Sequence, residues 1–507
     1  MSEKKVSNKL TSVSSTKYEE MKKKYRRKPN VVIVGAGIAG LYCAYKLLQT
    51  RKYDVLVLET KSHIGGRMHS IDGLDTGAWR IPDTHKRMIK LAKELDFRLR
   101  PLYSAAESIQ VKKCFRLDIP LTVGLSKRER LMLDHDDPNL VRQLEANTGY
   151  AGSLDGQTKT YVTDSVSSKT QKHVQAKTFL VPNRKASMQT FCDELAKKIG
   201  SKCIWLSSPV KDIIYYDHSG LWNFTVEETH IDKKTQTPYS HDVDYTTNYL
   251  ILACPSHMWP SFSVDAPLLK PIQNATDTFA LAHIYLKTQS KLKRQHIITD
   301  TKLGQIVAIK ENLLMLYVSG QMAQYHNNMH MNQKELWLKE LREQLEQHCP
   351  DIEVDWSFWP SGPKFYYWKN AVSYWLPNAG GKSLMNECVI PHPTRLPNLC
   401  IVGEQFSEHQ GWAEGALQTA EIALKYILHD EQPHTIYSET DQKRPKHTIN
   451  IGGRLIDLSS WWNRHPGSTE PLKKHEHDED ALSVFERVHR HAPDAFVHLL
   501  SLQKGFI

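Results

Sequence analysis

The hydrophobic positions near the start of the chain switch between two periodicities. A β-branched run beginning at Val31 (VVIVGAGIAG) predicts a strand that leads directly into a glycine turn. Leu41, Tyr45 and Leu48 then recur at helical spacing, and DVLVLE (54–59) is apolar enough for a second buried strand. This order predicts a βαβ unit, in which two parallel strands are joined by a crossing helix.

The rest of the chain alternates short apolar runs with longer polar stretches. YLILACP (249–255) and NLCIVGEQ (398–405) have the composition of buried strands, and 204–228 predicts strands joined by a hairpin. Residues 152–177 are rich in Ser, Thr, Lys and Gln, which predicts an exposed loop or insertion. Helices are predicted over 188–199, 333–348 and 413–428.

Length and composition indicate a globular protein with more than one domain. The chain has 507 residues, of which 40% are hydrophobic and 24% charged, and one compact core rarely extends over so long a chain. No run of 18 apolar residues occurs, so we predict no membrane span, and the opening MSEKK does not resemble a secretory signal. The eight cysteines include no C-x-x-C pair. They predict reduced thiols in a cytoplasmic or other reducing intracellular setting.

The positive charge is concentrated at the amino terminus. The formal net charge is +10, and residues 1–29 hold ten Lys or Arg against three Glu, so this segment alone carries +7. The remaining residues are close to neutral, which argues against a folded basic face for nucleic acid. We therefore predict a disordered basic tail and no specific nucleic-acid partner. Tethering to a polyanion is the alternative for this tail.

Gly35, Gly37 and Gly40 form a G-x-G-x-x-G sequence between the predicted strand and helix. In such a turn the first glycine makes the bend, the second lets the backbone approach a pyrophosphate, and the third packs the helix on the strand. Glu59 follows 19 residues after Gly40, at the end of the second strand. A carboxylate there can bind ribose hydroxyls and disfavours a 2′-phosphate. These residues predict a dinucleotide site, but they do not separate NAD from FAD.

Two further blocks separate these cofactors. Gly65-Gly66-Arg67 follows soon after Glu59, and VGEQFSEHQGWAEGALQTAEIAL occupies 402–424. With the glycine turn they resemble the flavin-containing amine oxidase superfamily, in which a Gly-Gly-Arg follows the ribose-binding Glu and a Gly-Glu precedes a Gly-(aromatic)-x-x-Gly-Ala helix start. The resemblance covers roughly residues 30–430 and implies that the cofactor is FAD.

The resemblance implies a role for each matching residue. Arg67 would bind the FAD pyrophosphate, Val210 would hold the adenine through its backbone, and Glu404 would touch the ribityl–phosphate region. The helix starting at Ala413 would direct its N-terminus at the flavin N1/O2 edge, where reduced flavin carries negative charge. The full set of implied FAD contacts is Gly35, Gly37, Ile38, Ala39, Gly40, Glu59, Thr60, Gly66, Arg67, Gly77, Ala78, Trp79, Arg80, Val210, Glu404, Gly411, Trp412 and Ala413.

Residues 77–82 (GAWRIP) resemble the L-amino-acid oxidase branch of this superfamily. The arginine of that segment, here Arg80, would form a bidentate pair with the substrate carboxylate, a task that suits a planar guanidinium. A surface arginine, or one that pairs with the pyrophosphate, is the alternative. Trp412 would wall the substrate amine, with a packed core tryptophan as the alternative. The family's tyrosine partner of the arginine has no counterpart in GQIVAIKEN (304–312).

Lys291 is the candidate catalytic residue, since it aligns roughly with the family lysine that holds a water against flavin N5. Lys287 and Lys293 are close in sequence, so a solvated surface lysine is an equal alternative. The resemblance implies that a hydride passes from Cα of a neutral amine to the flavin. Water would then hydrolyse the imine to a keto acid and ammonia, and oxygen would take the electrons to give hydrogen peroxide.

The last part of the chain, 447–507, resembles the cytochrome b5 domain. His465 in His-Pro-Gly is the first implied haem ligand, and His491 is the second, with His489 as the alternative. Two neutral imidazoles can bind a haem iron from opposite faces. Ser468 replaces the family's second glycine, and the opening strand and helix are not evident from the sequence. Haem b is therefore a candidate second cofactor, and a haem-free adaptor is the alternative.

These features predict an α/β protein in which a Rossmann-type FAD-binding domain is interleaved with a mixed substrate-binding domain, followed by a small α+β C-terminal domain. The leading function is FAD-dependent oxidative deamination of an L-amino acid, with oxygen or a one-electron acceptor as second partner. A polyamine or monoamine oxidase, and a flavin-bound scaffold without turnover, are the alternatives. The predicted boundaries are 1–29 for the tail, 30–430 for the oxidase (FAD-binding parts about 30–80, 180–260 and 365–430; substrate-binding parts about 81–179 and 256–364), 431–446 for a linker and 447–507 for the cytochrome b5-like unit.

Overall fold

The computed structural model describes most of the chain between Val31 and His429 and a short part of the tail. Several predictions fall outside the described residues: the basic tail 1–29, the insertion 152–177, the linker 431–446 and the tail histidines His465, His489 and His491. The described residues are 31–102, 110–111, 126, 128–129, 132, 179–182, 186–216, 220–231, 238–261, 266–292, 296–299, 301–376, 384–393, 396–429, 447–451, 454–457, 470 and 473.

The described residues form both strands and helices. The strands are β1 (Val31–Val34), β2 (Val55–Leu58), β3 (Ser70–Ile71), β4 (Leu74–Asp75), β5 (Ile81–Pro82), β6 (Leu99–Pro101), β7 (Gln110–Val111), β8 (Phe179–Pro182), β9 (Ile204–Trp205), β10 (Val210–Tyr216), β11 (Leu221–Ile231), β12 (Pro238–Thr247), β13 (Tyr249–Leu252), β14 (Thr276–Lys287), β15 (His296–Ile298), β16 (Gln305–Lys310), β17 (Leu313–Ser319), β18 (Lys364–Trp375), β19 (Leu399–Ile401), β20 (Thr448–Ile451) and β21 (Arg454–Asp457). The α-helices are α1 (Ile38–Gln49), α2 (Lys86–Glu94), α3 (Thr190–Ile199), α4 (Ala266–Gln273), α5 (Gly320–Asn332), α6 (Lys334–His348), α7 (Met385–Val389) and α8 (Ala413–His429).

A five-stranded parallel sheet in the order β19-β13-β1-β2-β9 carries the glycine turn. Every residue of β1 and β2 is buried, as a parallel sheet covered on both faces requires. Val31 and Ile33 face a core shared with α1, α3 and α8. Val32 and Val34 face the opposite core, which is shared with Trp222 of the β10-β11-β12 sheet. The predicted βαβ unit is confirmed.

A six-stranded sheet in the order β18-β14-β17-β16-β15-β7 forms the second large layer, antiparallel except between β15 and β7. Alternate residues of its strands point to opposite faces. Ile284 and Leu316 pack with Trp337 of α6, whereas Tyr317 packs with Trp79 on the other face. This second face therefore brings β14 and β17 against the segment that contains Arg80.

Along the chain, strands of the two sheets alternate. The six-stranded sheet takes β14 to β18 from the sequence between β13 and β19, which are neighbours in the parallel sheet. This is a mixed α/β arrangement, as predicted, and the predicted domain boundaries stay a prediction. The helices predicted at 188–199, 333–348 and 413–428 are confirmed as α3, α6 and α8, within the usual uncertainty of helix ends.

The tail differs from the sequence expectation in its first residues. β20 and β21 form an antiparallel pair there, although no opening strand was evident from the sequence pattern. Two four-residue strands leave little periodicity to detect. None of the described helices is both long and apolar enough to cross a membrane. Five of the described cysteines are buried.

Candidate dinucleotide and substrate site

The turn between β1 and α1 contains glycine for two different reasons. Gly35 has a φ of +114°, and a Cβ there would lie 2.8 Å from the Ala253 carbonyl oxygen, while a Cβ on Gly40 would overlap the Gly35 carbonyl oxygen. The protein itself therefore requires these two glycines. Gly37 has an ordinary φ of −76°, and no atom of the described residues lies within 4 Å of the position its Cβ would take. A pyrophosphate against this backbone would explain the third glycine.

The start of α1 presents backbone rather than side chains. Ile38 and Ala39 are buried in the core, so they can reach a ligand only through their N–H groups. Gly37, the residue before the helix, makes no side-chain cap. The first amides of a helix have no partner within the helix. They suit an anion such as a phosphate.

Glu59 holds its carboxylate beside this turn. Its Oε2 accepts a hydrogen bond from the Ala36 N–H at 2.8 Å, and its Oε1 accepts one from the Lys61 N–H at 2.9 Å. The Glu59 N–H donates to the Trp205 carbonyl at 2.9 Å, which joins β2 to β9. Glu59 is half-buried and Thr60 is exposed. A carboxylate has further lone pairs, so the fixed Glu59 side chain could still accept hydrogen bonds from ribose hydroxyls.

Val210 follows a segment that is hydrogen-bonded to the backbone of Glu59. The Ser208 N–H donates to the Glu59 carbonyl oxygen at 2.9 Å, and Val210 begins β10 two residues later. Val210 is buried and pairs with Val226 of β11. This placement suits a backbone contact with the adenine, which stays a prediction.

The Gly65–Gly66 pair lies against the glycine turn. The Gly65 N–H donates to the Ala36 carbonyl oxygen at 2.9 Å, and a Cβ on Gly66 would lie 3.4 Å from the Gly37 Cα. Both residues have positive φ, +108° and +57°, which favours glycine. The second sequence block is therefore fixed directly beside the first.

Glu404 connects the early and late sequence blocks. It forms an ion pair with Arg67, and it accepts hydrogen bonds from the Ser373 hydroxyl at 2.8 Å and the Gly411 N–H at 2.7 Å. Arg67 also donates to the Ala371 carbonyl oxygen at 2.9 Å. Glu404 is buried, whereas the Arg67 side chain keeps 28% of its surface exposed. The structure thus brings together two residues that the sequence separates by 337 positions.

Two more glycines allow close approach of backbones at this junction. The Ala78 N–H donates to the Arg67 carbonyl oxygen at 2.9 Å, and a Cβ on Gly77 would overlap that same oxygen. Gly411 has a φ of +79°, and its Cβ would lie 2.8 Å from Cγ1 of Val372. The segment before Arg80 and the segment before Trp412 are therefore both fixed next to the Arg67–Glu404 pair.

Arg80 is a buried guanidinium surrounded by aromatic rings, with 7% of its surface exposed. Its Cζ lies 4.5 Å from the Trp79 ring centroid and 5.8 Å from those of Tyr317 and Trp412. Cation–π contacts of this kind stabilise a charge that has been removed from water. The structure brings Arg80 and Trp412 together, and Trp412 directly precedes the first residue of α8, Ala413.

A second set of polar groups is fixed by the backbone of Asp75. His283 Nδ1 and the Tyr285 hydroxyl both lie 2.7 Å from the Asp75 carbonyl oxygen. Burial and the charge of Arg80 lower the pKa of His283 to about 4. Burial raises the pKa of the Asp75 carboxyl to about 6, although that carboxyl accepts hydrogen bonds from the Ser70 hydroxyl and the Met188 N–H.

Lys291 does not share this environment. It follows β14 with 83% of its side chain exposed, and it pairs at 3.2 Å with Glu311, whose side chain is 63% exposed. A lysine that holds water against a flavin must lie inside the protein, where solvent does not compete for its hydrogen bonds. The placement matches the alternative of a solvated surface lysine, and we leave Lys291 out of the candidate site.

Sequence reasoning missed three residues of this cluster. Tyr317 lies on β17, just beyond 304–312, where a tyrosine was sought, and its ring faces Arg80. His283 lies on β14, and the His85 ring contacts Trp412 at 5.0 Å between centroids. The available signal was the alternation of LLMLYVS (313–319), which places Tyr317 on the same face as Met315.

The tail histidines proposed as haem ligands lie outside the described residues, so the haem site stays a prediction. Within the described part of the chain, no three His, Cys, Asp or Glu side chains come close enough together to hold a metal ion.

Comparison with known protein families identifies the dinucleotide segment. Residues 33–91 match the NAD(P)-binding Rossmann-like domain. This range contains the glycine turn, Glu59, the Gly-Gly-Arg block and Arg80. The match covers a small part of the chain and does not extend to the six-stranded sheet.

Relatives among known proteins include three kinds of oxidase. The chain is 41% identical over 71 residues to amine oxidase (flavin-containing) A of Canis lupus familiaris, 44% over 78 residues to an L-amino-acid oxidase of Siganus canaliculatus, and 48% over 42 residues to polyamine oxidase 7 of Oryza sativa subsp. japonica. These matches cover 13%, 14% and 8% of this chain, and the chain spans only 13%, 15% and 9% of the length of those relatives. The chain therefore contains an NAD(P)-binding Rossmann-like domain and is similar, over short segments, to flavin-containing amine oxidases.

Proposed function

We propose that this chain binds FAD and oxidises the C–N bond of an L-amino acid. The observation that carries the proposal is the placement of Arg80. Its buried guanidinium lies among Trp79, Tyr317 and Trp412, beside the junction of the blocks that resemble FAD-binding segments. Bound FAD would supply the hydride acceptor that such an oxidation needs.

Three features of the chain suit a dinucleotide such as FAD. The open space at Gly37 leaves room for a pyrophosphate, and Glu59 presents a fixed carboxylate for ribose hydroxyls. Arg67 keeps part of its charge exposed next to Glu404, so it could face the cofactor phosphates. The same cofactor would extend from Val210 at its adenine end toward Gly411, Trp412 and Ala413 at its flavin end.

Arg80 argues for a substrate that carries a carboxylate. A guanidinium binds a carboxylate through two parallel hydrogen bonds, and burial among aromatic rings strengthens the attraction because the local dielectric is low. The same charge would repel a cationic amine that lacks a carboxylate. Trp412, which lies beside Arg80, would flank the substrate and exclude water from the reacting bond.

The deciding experiment is aerobic turnover of matched substrate pairs by the purified full chain. Peroxide and ammonia release would be measured for L-amino acids and for the amines that lack only the carboxylate, after the bound flavin has been extracted and identified. We expect at least 100-fold higher kcat/KM for the amino acid of each pair, which corresponds to about 3 kcal/mol.

The other outcomes separate the remaining hypotheses. Preferential turnover of spermine or of simple amines would replace the proposal with a polyamine or monoamine oxidase. A protein that holds FAD but turns over neither class would be a flavin-bound scaffold. A protein that cannot be loaded with FAD would contradict the cofactor assignment itself.

The proposal extends to the tail as an electron-accepting unit. The cytochrome b5 resemblance of 447–507, with His465 and His491 (or His489) as ligands, suggests haem b next to the oxidase. The described residues of this unit are 447–451, 454–457, 470 and 473, and they include the opening β20–β21 pair. A reduced-minus-oxidised spectrum of the full chain, compared with that of His465→Ala, tests this. A split visible band that disappears in the variant would support haem binding, and haem-free protein would make the tail an adaptor.

A further inference from the structure

His283 occupies the centre of β14 on the face that also carries Tyr285. Its side chain is fully buried, and its ring centroid lies 5.2 Å from that of Tyr317 and 5.9 Å from that of Tyr285. Tyr317 is also one of the rings that surround Arg80. His283 and Arg80 therefore share one neighbour, and the positive charge of Arg80 disfavours protonation of His283.

The hydrogen bond of His283 determines its tautomer. Nδ1 lies 2.7 Å from the Asp75 carbonyl oxygen, and a carbonyl oxygen can only accept. Nδ1 therefore carries the proton and donates. The Tyr285 hydroxyl donates to the same oxygen at 2.7 Å, so it holds the carbonyl group to which His283 donates. Since burial and Arg80 lower the pKa of His283 to about 4, the ring is neutral at physiological pH and Nε2 carries a lone pair.

Nε2 is a buried acceptor that receives no hydrogen bond from the described residues. A buried polar atom that lacks a partner destabilises the folded state, and such atoms in native proteins usually have a water or ligand partner. His326, another buried histidine, has both ring nitrogens hydrogen-bonded, to Lys302 and Trp337. An Nε2 that no described residue satisfies, next to the Arg80 cluster, therefore points to a partner that is either a water or a ligand.

We propose that Nε2 of His283 accepts a hydrogen bond from the substrate amino group while Arg80 holds the substrate carboxylate. This inference rests on the proposed function and deepens it. In an α-amino acid a single carbon separates the amino group from the carboxylate. The His283 acceptor and the Arg80 guanidinium both contact Tyr317, so together they match a substrate that carries these two groups. A long polyamine has no second group to engage Arg80.

Neutrality is what makes this imidazole suitable. A protonated ring would repel an ammonium and would also face the charge of Arg80. A neutral Nε2 can accept an N–H of the amine and orient the amine nitrogen, while it is too weak a base to hold the amine's proton itself. His283 thus acts on the reacting nitrogen directly, and Asp75 positions His283 through its backbone carbonyl.

The test separates amine recognition from carboxylate recognition. Steady-state kinetics would use L-leucine or L-phenylalanine, whichever the wild type oxidises faster. Binding would use the carboxylate that lacks the amino group, isocaproate or hydrocinnamate, titrated against the flavin spectrum. His283→Leu should lower kcat/KM for the amino acid roughly 10- to 100-fold, the loss expected for a buried hydrogen bond. It should change the Kd of the deamino acid less than about threefold.

Two further variants guard against a merely structural effect. His283→Gln retains an acceptor near the Nε2 position and should recover part of the activity that Leu loses. His326→Leu removes a buried histidine whose nitrogens are already paired, and it should not change the ratio between amino-acid turnover and deamino-acid binding. Flavin content and thermal midpoint are measured for each variant.

The outcomes distinguish this inference from the proposed function. Wild type that oxidises no amino acid contradicts the proposed function. If wild type oxidises amino acids and His283→Leu is equally active, or weakens the deamino acid as much as the amino acid, the inference on His283 is wrong. Loss of bound flavin by folded His283→Leu would place the partner of Nε2 in the cofactor and would also overturn it.

Discussion

The dinucleotide turn and the Arg80 cluster represent two ways of building a site. In the turn, Gly35, Gly37 and Gly40 lie within six consecutive residues, and the groups offered to a ligand are backbone amides. In the Arg80 cluster, the rings come from β17 and from the segment before α8, and the imidazole comes from β14. The turn works because side chains are absent, whereas the cluster works because particular side chains are present.

This difference determines how easily each region can be recognised from the sequence. Glycines at fixed spacing form a local sequence pattern, and the Rossmann-like match over 33–91 includes this pattern. Side chains that meet from distant elements form no local pattern. It also determines what a substitution does in each region. A substitution in the turn adds atoms where the backbone, or a bound phosphate, approaches, whereas a substitution in the cluster removes an interaction.

The largest expected effect comes from a matched pair of glycine variants. Gly40→Ala should lower the free energy of unfolding by about 4 kcal/mol or more, because its Cβ would overlap the Gly35 carbonyl oxygen. Gly37→Ala should leave the apoprotein within about 1 kcal/mol of wild type, because its Cβ meets nothing among the described residues, yet it should lose FAD. Thermal unfolding of flavin-stripped protein and flavin content after reconstitution check the two expectations.

This pair also tests the comparison itself. Wild-type flavin occupancy in Gly37→Ala would show that no pyrophosphate approaches this backbone, and the placement of the pyrophosphate at Gly37 would be wrong. Unchanged stability of Gly40→Ala would show that helix–strand packing does not need glycine there. Gly73→Ala is a control for backbone strain alone, since Gly73 has a positive φ in an exposed turn, so this variant should lose some stability and keep its flavin.

The next effect concerns substrate charge. Arg80→Met should raise KM for amino acids roughly 100-fold or more, about 3 kcal/mol for a desolvated bidentate pair. Arg80→Lys should recover only part of the loss, because an ammonium lacks the planar fork. Arg342→Met is a matched control, since Arg342 also stacks on a tryptophan, at 5.1 Å from the Trp356 ring, but is exposed. Unchanged amino-acid kinetics in Arg80→Met would refute the assignment.

The parallel sheet was largely predictable because its strands are fully buried. VVIV and VLVL are continuous apolar runs, which a covered parallel sheet demands, and α3, α6 and α8 follow helical periodicity. The pairing of β13 with β19 was not predictable, because 146 residues separate Leu252 from Leu399. Order along the sheet depends on which cores the faces share, and no single strand carries that information.

The candidate site was predictable only where its chemistry is local. The spacing of the glycines and Glu59 identifies the turn, and the family resemblance adds Arg67, Arg80 and Trp412. Tyr317 was not predicted because the resemblance pointed to 304–312. Tyr317 lies on the next strand, and only the pairing of β16 with β17 brings it opposite Gln305. The orphaned nitrogen of His283 is visible only in three dimensions, since it depends on a carbonyl 208 residues away.

A smaller effect concerns Asp75, whose backbone carbonyl holds His283 and Tyr285. The raised pKa of Asp75, about 6 against 3.8, means that the folded state binds this proton more tightly than the unfolded state. The ionised carboxyl therefore penalises folding above about pH 6, and the penalty vanishes below about pH 4. Asp75→Asn keeps an acceptor for the Ser70 hydroxyl and the Met188 N–H. It should stabilise by about 2 kcal/mol at about pH 8 and by little at about pH 4.

Urea unfolding of the flavin-free protein at both pH values measures this difference. Asp351→Asn serves as the control, because Asp351 is exposed and a surface substitution should change stability by less than about 0.5 kcal/mol. If Asp75→Asn is as stable as wild type at both pH values, the carboxyl is better solvated than its internal hydrogen bonds indicate.

The smallest effect concerns the ring that Arg80 and His283 share. Tyr317→Leu removes a cation–π contact at 5.8 Å from the Arg80 Cζ and a ring contact with His283, while it keeps an apolar side chain on β17. We expect KM for amino acids to rise roughly fivefold, about 1 kcal/mol for such a contact, with flavin content unchanged. Tyr325→Leu is the control, since the Tyr325 hydroxyl pairs with Glu340 on α6. A change in Tyr317→Leu as large as that in Arg80→Met would mean that Tyr317 binds substrate itself, whereas no change would mean that Trp79 and Trp412 suffice to hold the guanidinium.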